Sequence, residues 1–467
     1  MRDVQQPRTN VLNLCRSLLV AFGAMSVCLA WWHTVRAPAL RTDRYNPRVT
    51  ERVKITRPGA LTTADNVAVL TARQTRGQWI VACPAPQTYC HLTGYSPRSG
   101  LRHGLRSALY ALGPYEDAWT NILRGPPTGC DIKLTVYSAP QRLATRLMQG
   151  KCGAVLALDP RNGAIRAMVS APAYDPNEAA RDYASLAEQV DQPELNRALL
   201  GQYAPGSILK LLTAAAAIDT GIAGPEEQFR CPAQVRIGNT TVRCRRAQGH
   251  GKISFEEALV DSCNVIFAEV GRMLGPETFR HYTKRFHILS PPELPLPVRG
   301  GKMADMSGPH AQEELAEAAF GQGATLISPL AMAQMTAAIA AGGSVPKPKL
   351  VDSVLSARGR QLYTLRPESL GQAVSSHTAA AVGGMMVQVV ERGTARSARI
   401  AGTKVAGKTG SAQNPSGVAH AWFVGFAPAD APRVAVAVIV EHGGAGGRVA
   451  APIARQVMQS VIEADRN

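Results

Sequence analysis

The chain has 467 residues, 45% of them hydrophobic, with 42 Gly and 32 Pro, too few for a low-complexity sequence. This length predicts two or three domains. The formal net charge is +17, and the basic residues are spread along the chain, which indicates a basic surface suited to anionic lipids or acidic polymers. The sequence has no zinc-finger spacing and no basic motif interleaved with aromatics, which argues against nucleic-acid binding.

Residues 17–35 form a stretch of 19 residues without Asp, Glu, Lys or Arg. A helix needs roughly 20 residues to cross a bilayer, and Trp31 and Trp32 near the end of this stretch suit a membrane interface. The alternative is a cleaved signal peptide, whose apolar region usually runs about 7–15 residues. We therefore predict an uncleaved transmembrane anchor at 17–35, after a short tail at 1–16. Arg residues lie on both sides of the span, so charge alone leaves its orientation open.

The chain has nine Cys residues and no C-x-x-C pair, so the sequence does not predict a zinc site. Two of the nine lie in or beside the apolar stretch. The other seven include three neighbouring pairs that would close short loops in an oxidising compartment. These pairs are Cys83 with Cys90, Cys130 with Cys152, and Cys231 with Cys244. We predict at least two of these disulfides; the alternative is that some of the cysteines are free and buried as small apolar side chains.

The first candidate domain covers residues 36–130. Its pattern is irregular: short apolar runs at 67–70 and 79–83 predict strands, and 101–112 predicts a helix. No residue pattern in this part points to a particular chemistry. We interpret it as a small pedestal domain that follows the anchor.

The pattern changes at Asp131, where alternating apolar residues predict a strand at 132–136, followed by a helix at 139–148. Asn162-Gly163 between two apolar runs predicts a β-hairpin. Helices are then predicted at 208–220, 254–274 and 329–341, strands at 404–412, 420–427 and 433–441, and a last helix at 450–464. This order predicts an α+β domain at 131–467, in which a helical lobe packs on one antiparallel sheet of about five strands.

Ser207 stands at the predicted start of a helix, and Lys210 lies three residues further on the same face. A serine is a weak nucleophile until a base takes its proton. A lysine can be that base when burial or a neighbouring cation lowers its pKa. The pair alone is weak evidence, because a helix-capping serine and a solvated lysine have the same spacing.

A second motif follows 55 positions later, between two predicted helical runs. Ser262 and Asn264 stand two residues apart, and in a turn both can face one cleft. Their hydroxyl and amide groups suit a proton relay and a hydrogen bond to a substrate amide. A turn or a helix cap explains the same residues equally well.

A third motif, Lys408-Thr409-Gly410-Ser411, lies on a predicted strand. Thr409 and Ser411 share one face of that strand, so their hydroxyls can bind a terminal carboxylate beside the Lys408 charge. Gly410 allows a substrate backbone to approach closely. A lysine at the end of a strand and a glycine in a turn are the simpler explanation when this motif is taken alone.

Together the three motifs have the order typical of class A β-lactamases and penicillin-binding proteins. The segments around them resemble class B penicillin-binding proteins, in particular the short actinobacterial penicillin-binding protein A type. The resembling segments include Ala171-Pro172-Ala173-Tyr174-Asp175-Pro176-Asn177, Tyr203-Ala204-Pro205-Gly206-Ser207, Phe320-Gly321-Gln322-Gly323, Glu391-Arg392-Gly393-Thr394-Ala395 and Ala406-Gly407-Lys408-Thr409-Gly410. The resemblance runs from Asp131 to the C-terminus and is weaker before it.

The resemblance implies a peptidoglycan D,D-transpeptidase that works through a serine acyl-enzyme. Ser207 would attack the penultimate D-Ala carbonyl of a stem peptide, with Lys210 as its base. Ser262 and Asn264 would help to pass the proton to the leaving D-Ala. An amine of a neighbouring peptide would then resolve the acyl-enzyme, and β-lactams would block it by acylating the same serine.

The same resemblance assigns substrate-binding roles to the third motif. The backbone N–H groups of Ser207 and Ser411 would form the oxyanion hole, and Lys408, Thr409 and Ser411 would hold the substrate carboxylate. Gly410 lies between them on the strand. Many relatives have Thr at position 411, and Ser keeps the hydroxyl. The reaction needs no metal and no organic cofactor.

The resemblance also implies a location and a partner. Residues 1–16 would be cytoplasmic, and one helix would anchor the catalytic domain on the outer side of the cell membrane. A membrane glycosyltransferase of the shape, elongation, division and sporulation family would polymerise the glycan. The alternatives are a D,D-carboxypeptidase, a β-lactamase or penicillin sensor, and a non-catalytic scaffold for a wall polymerase. We interpret His420, close to the third motif, as a packed strand residue rather than an acid–base group.

Overall fold

The computed structural model of the chain describes residues 5–36, 47–96, 99–112, 128–414 and 417–466. Parts of the predicted tail and of the predicted pedestal domain lie outside these residues. The described helices are Gln5–Trp31, Pro47–Ile55, Pro86–Thr93, Gly100–Gly104, Arg106–Leu109, Ser138–Leu147, Pro176–Ala179, Tyr183–Ala187, Arg197–Leu200, Lys210–Asp219, Phe255–Val260, Asn264–Arg285, Ala311–Ala319, Pro329–Ala340, Ser376–Glu391 and Ala450–Ala464. Short 3₁₀ or π turns span Trp32–Arg36, Gly206–Ile208 and Arg396–Ala398.

The strands are numbered β1 to β17 in chain order. They span β1 Leu61–Thr62, β2 Ala68–Thr75, β3 Gln78–Ala82, β4 Asp131–Leu134, β5 Gly153–Leu158, β6 Ile165–Ala171, β7 Gln228–Cys231, β8 Gln234–Ile237, β9 Thr240–Arg243, β10 Gly251–Ser254, β11 Ser344–Pro346, β12 Val351–Leu355, β13 Gln361–Thr364, β14 Ser369–Gln372, β15 Ala406–Ala412, β16 His420–Ala427 and β17 Val434–Val440.

The central sheet has five strands in the order β15-β16-β17-β5-β6, and every neighbouring pair is antiparallel. The predicted hairpin joins β5 to β6, and Gly163 in its turn has a φ of +75°, which glycine adopts without strain. The sheet therefore combines strands from both ends of the domain, as the sequence predicts. This confirms the α+β fold with a five-stranded antiparallel sheet.

Helices cover both faces of the central sheet, because every residue of β5 and β17 is buried. Pro329–Ala340 packs on these strands, and the C-terminal helix Ala450–Ala464 packs on β16 and β17. The helical lobe lies beside the β15 edge, where Gly206–Ile208 and Ser376–Glu391 contact that strand. The sheet edge and the helical lobe therefore meet at β15.

A second sheet contains the pedestal strands, in the order β13-β12-β4-β1-β2-β3. β4, predicted to open the catalytic domain, pairs with β1 in parallel and with β12 in antiparallel orientation. Strands from before and after position 131 therefore share one sheet. The domain boundary between residues 130 and 131 therefore stays a prediction.

The apolar stretch near the N-terminus is helical. Residues Thr9–Arg36 form one candidate span of 28 residues with no part of its most apolar window buried in the protein. Its Leu, Val and Phe side chains are exposed. Exposed apolar side chains on an isolated helix of this length suit a lipid environment.

The helix predicted at 254–274 is interrupted. Phe255–Val260 begins with a capping box between Ser254 and Glu257, and a second helix begins at Asn264. Ser262 in the break has a φ of +58°, a conformation that non-glycine residues rarely adopt. The break directs the Ser262 carbonyl and the Asn264 side chain at Lys210.

The disulfide prediction is wrong: all nine cysteines are free and all lie within the described residues. Cys130 precedes β4 of the pedestal sheet and Cys152 precedes β5 of the central sheet, so proximity in sequence does not bring them together. Cys90 belongs to a separate small apolar cluster from Cys83. The sulfur nearest to Cys231 belongs to Cys263.

The β5–β6 turn holds a fully buried carboxylate, which predicts a stability effect. Asp159 accepts hydrogen bonds from Arg161 and Arg166 at 2.7 and 2.8 Å. Burial would raise the pKa of Asp159, but the two guanidinium groups hold it below its ordinary value. Asp159→Asn should lower the free energy of unfolding by roughly 3 kcal/mol, because the largely buried Arg166 loses its carboxylate, whereas Arg161 keeps its pair with Asp465.

Urea unfolding at neutral pH measures this loss. Since the folded-state pKa is lowered, the contribution is present above the ordinary value near 4 and is lost as the pH falls through the folded-state pKa. The matched control is Glu277→Gln, which removes an exposed pair with Arg280 and should change stability by less than about 1 kcal/mol. Equal effects of the two changes would contradict the prediction.

Candidate active site

The turn that carries the predicted nucleophile Ser207, called the nucleophile turn below, is held in place by backbone contacts. Gly206 has a φ of +58°, and its N–H donates to the Gly321 carbonyl at 2.8 Å. Gly321 has no room for a side chain, because a Cβ there would lie 1.9 Å from the Gly206 carbonyl oxygen. The turn therefore presents Ser207, partly exposed, one turn before the buried helix Lys210–Asp219.

The edge strand β15 runs beside this turn. A Cβ at Gly410 would lie 3.1 Å from the Pro205 carbonyl oxygen and equally close to the Trp422 side chain. The Trp422 indole N–H donates to the Ala204 carbonyl at 3.1 Å, which fixes the segment that leads to Ser207. The predicted close approach at Gly410 is therefore made by the nucleophile turn of the protein itself.

Lys210 is fully buried, and its Nζ contacts both motifs of the helical lobe. It lies 2.7 Å from the Ser262 carbonyl oxygen and 2.7 Å from Asn264 Oδ1. It also lies 3.2 Å from Ser207 Oγ and 3.2 Å from Ser262 Oγ. Residues of the first two motifs, which are 55 positions apart in the sequence, thus contact the same nitrogen atom.

The environment of Lys210 favours a neutral amine. Burial lowers the pKa of Lys210 to about 7. The ring of Phe267 lies 5.5 Å from Nζ, a cation–π contact that favours the charged form, but the effect of burial is larger. A large fraction of Lys210 is therefore neutral near pH 7, where an exposed lysine is almost entirely charged.

Neutral Lys210 has the geometry of a base for Ser207. The two shortest contacts of its Nζ are to oxygens that only accept, the Ser262 carbonyl and Asn264 Oδ1. An NH₂ group that donates one proton to each of these oxygens keeps its lone pair for a third neighbour. Ser207 Oγ, at 3.2 Å, is in reach to donate its proton to that lone pair.

The Ser262 hydroxyl links two buried lysines. Lys408 Nζ donates to Ser262 Oγ at 2.9 Å and to the Thr409 carbonyl at 3.1 Å. Burial lowers the pKa of Lys408 well below its usual value, and the nearby charge of Lys210 lowers it further. Ser262 is therefore placed to relay a proton between the cleft and either lysine.

The two other hydroxyl residues of the third motif, Thr409 and Ser411, are two positions apart on β15. Thr409 is largely buried, and its Oγ1 lies 2.7 Å from Thr394 Oγ1. Ser411 is exposed and pairs with Ala421 on the neighbouring strand. The structure thus brings the three motifs together around Ser262, with both lysines buried, Ser207 partly exposed and Ser411 exposed.

Three residues support the site but are not among the site residues predicted from the sequence. Thr394 orients Thr409, Phe267 packs under Lys210, and Gly321 fixes the turn before Ser207. Thr394 and Gly321 lie in segments that carry the family resemblance, so a signal existed for them. Phe267 follows Asn264 by one helical turn, and an apolar residue there has no distinguishing pattern.

His420 packs as predicted for a strand residue. Its ring lies edge-on to Tyr203 at 5.7 Å between centroids, and its Nδ1 accepts the His442 backbone N–H at 3.1 Å. Burial lowers the pKa of His420, and His442 lowers it further.

The fold and the site define a serine acyl-transfer protein in which a buried lysine stands beside the nucleophile. The family described as penicillin binding protein transpeptidase domain matches residues 153–459. The chain belongs to this family, and within it to the class B penicillin-binding proteins.

Similar proteins are known over most of the chain. The peptidoglycan D,D-transpeptidase PbpA of Mycolicibacterium smegmatis is 32% identical over 91% of this chain and 93% of its own length. The ceftriaxone acyl-enzyme structure of penicillin-binding protein A from Mycobacterium tuberculosis has a TM-score of 0.81 at 29% identity, and covers 88% of this chain and 99% of its own. The D,D-transpeptidase domain of a peptidoglycan glycosyltransferase from Eggerthella lenta has a TM-score of 0.80 at 31% identity, with coverages of 88% and 99%.

The titration of Lys210 is a direct prediction of this geometry. In ¹³C-lysine-labelled protein, one Cε resonance should titrate near pH 7, and it should be absent from the spectrum of Lys210→Met. Exposed lysines titrate near 10.4 and provide the internal comparison. A Lys210 resonance that titrates with the exposed lysines would contradict the account of the site.

Proposed function

We propose that the protein is a peptidoglycan D,D-transpeptidase that cross-links stem peptides through an acyl-enzyme on Ser207. The observation that carries the proposal is the position of Lys210 Nζ, which contacts Ser207, Ser262 and Asn264 at once. The names of the relatives and the acyl-enzyme structure of the Mycobacterium tuberculosis protein support it.

In the first step Lys210 takes the Ser207 proton as Oγ attacks the penultimate D-Ala carbonyl. The tetrahedral oxyanion is stabilised by the backbone N–H groups of Ser207 and Ser411. The proton then passes to the leaving D-Ala amine through Ser262, whose Oγ is 3.2 Å from Lys210 Nζ. Lys210 and Ser262 are thus base and relay of the same proton.

The third motif binds the substrate carboxylate. Thr409 and Ser411 alternate with Lys408 along β15; Ser411 is exposed, whereas Thr409 and Lys408 are buried. A carboxylate that enters beside Lys408 favours its charged form and offsets the effect of burial on its pKa. The hydrogen bond between the Thr394 and Thr409 hydroxyls holds the Thr409 hydroxyl in place. β-Lactams mimic this carboxylate and the scissile amide, and acylate Ser207.

In the second step the amine of a neighbouring peptide attacks the acyl-enzyme carbonyl and gives its proton to Lys210, directly or through Ser262. The bond between the acyl carbon and Ser207 Oγ then breaks, and Lys210 returns the proton to Ser207 Oγ, 3.2 Å away. Among the described residues, the hydrogen bonds of Ser207, Lys210 and Ser262 involve no carboxylate. A carboxylate that activates water is what a fast β-lactamase needs, so this observation favours the transferase over a hydrolase. Water as the acceptor, in a D,D-carboxypeptidase, is the second candidate.

We also propose that the N-terminal helix anchors the catalytic domain on the outer side of the cell membrane, with residues 1–16 in the cytoplasm. The exposed apolar span Thr9–Arg36 and the wall substrate support this location. A membrane glycosyltransferase of the shape, elongation, division and sporulation family is the proposed partner, because cross-linking needs newly polymerised glycan.

A covalent adduct tests the nucleophile. Incubation with penicillin G should add one penicilloyl group, and peptide mapping should locate it on Ser207. Ser207→Ala should lose the adduct completely, because no hydroxyl remains at the end of the nucleophile turn. The surface variant Ser185→Ala is the control and should be acylated like wild type. An adduct on any other residue would overturn the assignment.

The proton relay predicts a separate kinetic effect. Ser262→Ala should lower the rate of acylation by about 10²-fold, since general acid–base groups typically contribute that much or more. Binding should change less, because the Ser262 carbonyl contact with Lys210 is a backbone contact that Ala keeps. Stopped-flow measurement of acylation gives the rate, and an unchanged rate would remove Ser262 from the mechanism.

The products formed from a pentapeptide donor show whether an amine or water is the acceptor. With a peptide or D-amino acid amine present, the transferase should form the cross-linked or exchanged product. A D,D-carboxypeptidase would release D-Ala and the shortened peptide at the same rate whether or not the amine is added. The scaffold alternative predicts that Ser207→Ala still supports growth of cells that lack the wild-type protein.

A further inference from the structure

Four metal-binding side chains meet behind the second motif: Cys231, Cys244, His250 and Cys263. One ligand atom from each lies within 4.8 Å of all the others. Cys231 Sγ is 3.2 Å from Cys263 Sγ, and His250 Nδ1 is 3.2 Å from Cys244 Sγ and 3.4 Å from Cys231 Sγ. The proposed transpeptidase reaction uses none of these four side chains.

The four residues come from separate places in the fold. Cys231 ends β7 and His250 precedes β10, and these two strands pair antiparallel. Cys244 follows β9, and Cys263 precedes the helix that begins at Asn264. The intervals between ligands are too long for a C-x-x-C pattern, which is why the sequence does not predict a metal site. Folding of the β7–β10 segment brings the ligands together.

The spacing of the ligand atoms fits a tetrahedral ion. Zinc lies at about 2.3 Å from sulfur and about 2.0 Å from nitrogen, so tetrahedral ligand atoms lie roughly 3.5–3.8 Å apart. The observed separations, from 3.2 Å to at most 4.8 Å, surround these values. A disulfide would satisfy only two of the three sulfurs and would leave the third sulfur and the imidazole without a partner.

The surroundings of the cluster resemble a second coordination shell. The His250 side chain is 4% exposed, and its Nε2, the nitrogen away from the sulfurs, lies 3.6 Å from Asp261 Oδ2. The Arg246 backbone N–H points to Cys244 Sγ at 3.4 Å. A carboxylate behind a ligating histidine and N–H groups directed at thiolates are typical supports of a zinc site.

The segment that carries the cluster has a thin apolar core. Between residues 228 and 254 the buried apolar side chains are Cys231, Ile237 and Val242. The partly buried apolar side chains that pack on the core there are Phe229, Val235, Cys244 and Ile253. Small folds with little buried apolar surface are commonly reinforced by a cross-link or a metal. A bound ion would join the β7–β10 pair, the loop after β9 and the start of the long helix.

We propose that these four residues bind one Zn²⁺ ion in a closed structural site, and that this site positions Ser262 and Asn264. Binding displaces the thiol protons of the three cysteines, which pass to solvent. The ion has no open position and takes no part in the chemistry. Its effect acts through Cys263, which lies between Ser262, with its φ of +58°, and Asn264. Both neighbours contact Lys210.

Metal content of the full-length protein, purified in detergent under reducing conditions, tests the site without reference to activity. We expect one zinc per chain by elemental mass spectrometry, and a thiolate-to-cobalt charge-transfer band after replacement by Co²⁺. Cys244→Ser and His250→Ala should lose the stoichiometric zinc, and the control Cys152→Ser, outside the cluster, should keep it. Asp261→Asn should weaken zinc binding by roughly 10-fold.

The outcomes that overturn the site are equally specific. Wild-type protein with no stoichiometric zinc and no charge-transfer band would refute it. So would a disulfide between Cys231 and Cys263, detected by mass as the loss of two hydrogens in protein purified without reductant. Should a ligand variant fail to fold, the cobalt spectrum of the wild type decides alone.

The positioning role has its own readout and rests on the proposed function. Removal of zinc by a chelator should lower the rate of penicillin acylation about 10-fold or more, and added zinc should restore it. Cys152→Ser should respond to the chelator like wild type. Zinc binding without any acylation would reject the proposed function and leave the site standing. Acylation at an unchanged rate after removal of the ion would reject the positioning role.

Discussion

The burial of the Lys210 amine is the constraint on which the site depends. A charged ammonium buried in this position would need a nearby countercharge, yet its neighbours are a carbonyl, an amide oxygen and two hydroxyls, all uncharged. A second buried lysine, Lys408, shares the Ser262 hydroxyl with it. Because two buried cations so close together are costly, this part of the fold stabilises a neutral lysine beside Ser207.

The surrounding elements fix the position of Lys210 relative to Ser207. The Gly206–Gly321 contact and the Trp422 indole fix the segment before Ser207. The interrupted helix presents the Ser262 carbonyl and the Asn264 side chain from the opposite side. These supports are backbone contacts and side chains held by hydrogen bonds, as an acyl-transfer site with small tolerances requires. The proposed zinc site would reinforce the one support that contains a strained backbone angle.

Much of this could be predicted from the sequence where local patterns decide the structure. The β5–β6 hairpin, the three closing strands and the two helices at 329–341 and 450–464 follow from periodicity and turn residues. The three motifs predict the site because together they supply a nucleophile, a base, a proton relay and a carboxylate-binding group for serine acyl transfer. The sequence places the second motif between two helical runs, but periodicity alone extends one helix across 254–274 and gives no sign of the positive φ of Ser262.

The cysteines illustrate the limit of reasoning from spacing. Cys130 and Cys152 are near in sequence and belong to different sheets, whereas Cys231 and Cys263 are 32 positions apart and touch. Pairings of strands that are distant in sequence, such as β4 with β1 and β12, determine which side chains meet. No local pattern contains that information, so both the wrong disulfides and the missed four-residue cluster have the same physical origin.

The pH dependence of the second-order rate of acylation by penicillin G tests the central claim most directly. A neutral Lys210 with a pKa of about 7 predicts a rate that rises about tenfold per pH unit below pH 7 and levels off above it. The rate at pH 5 should be about 100-fold below the plateau. A rate that stays constant down to pH 5, or that rises only near pH 10, would contradict the account of Lys210 as the base.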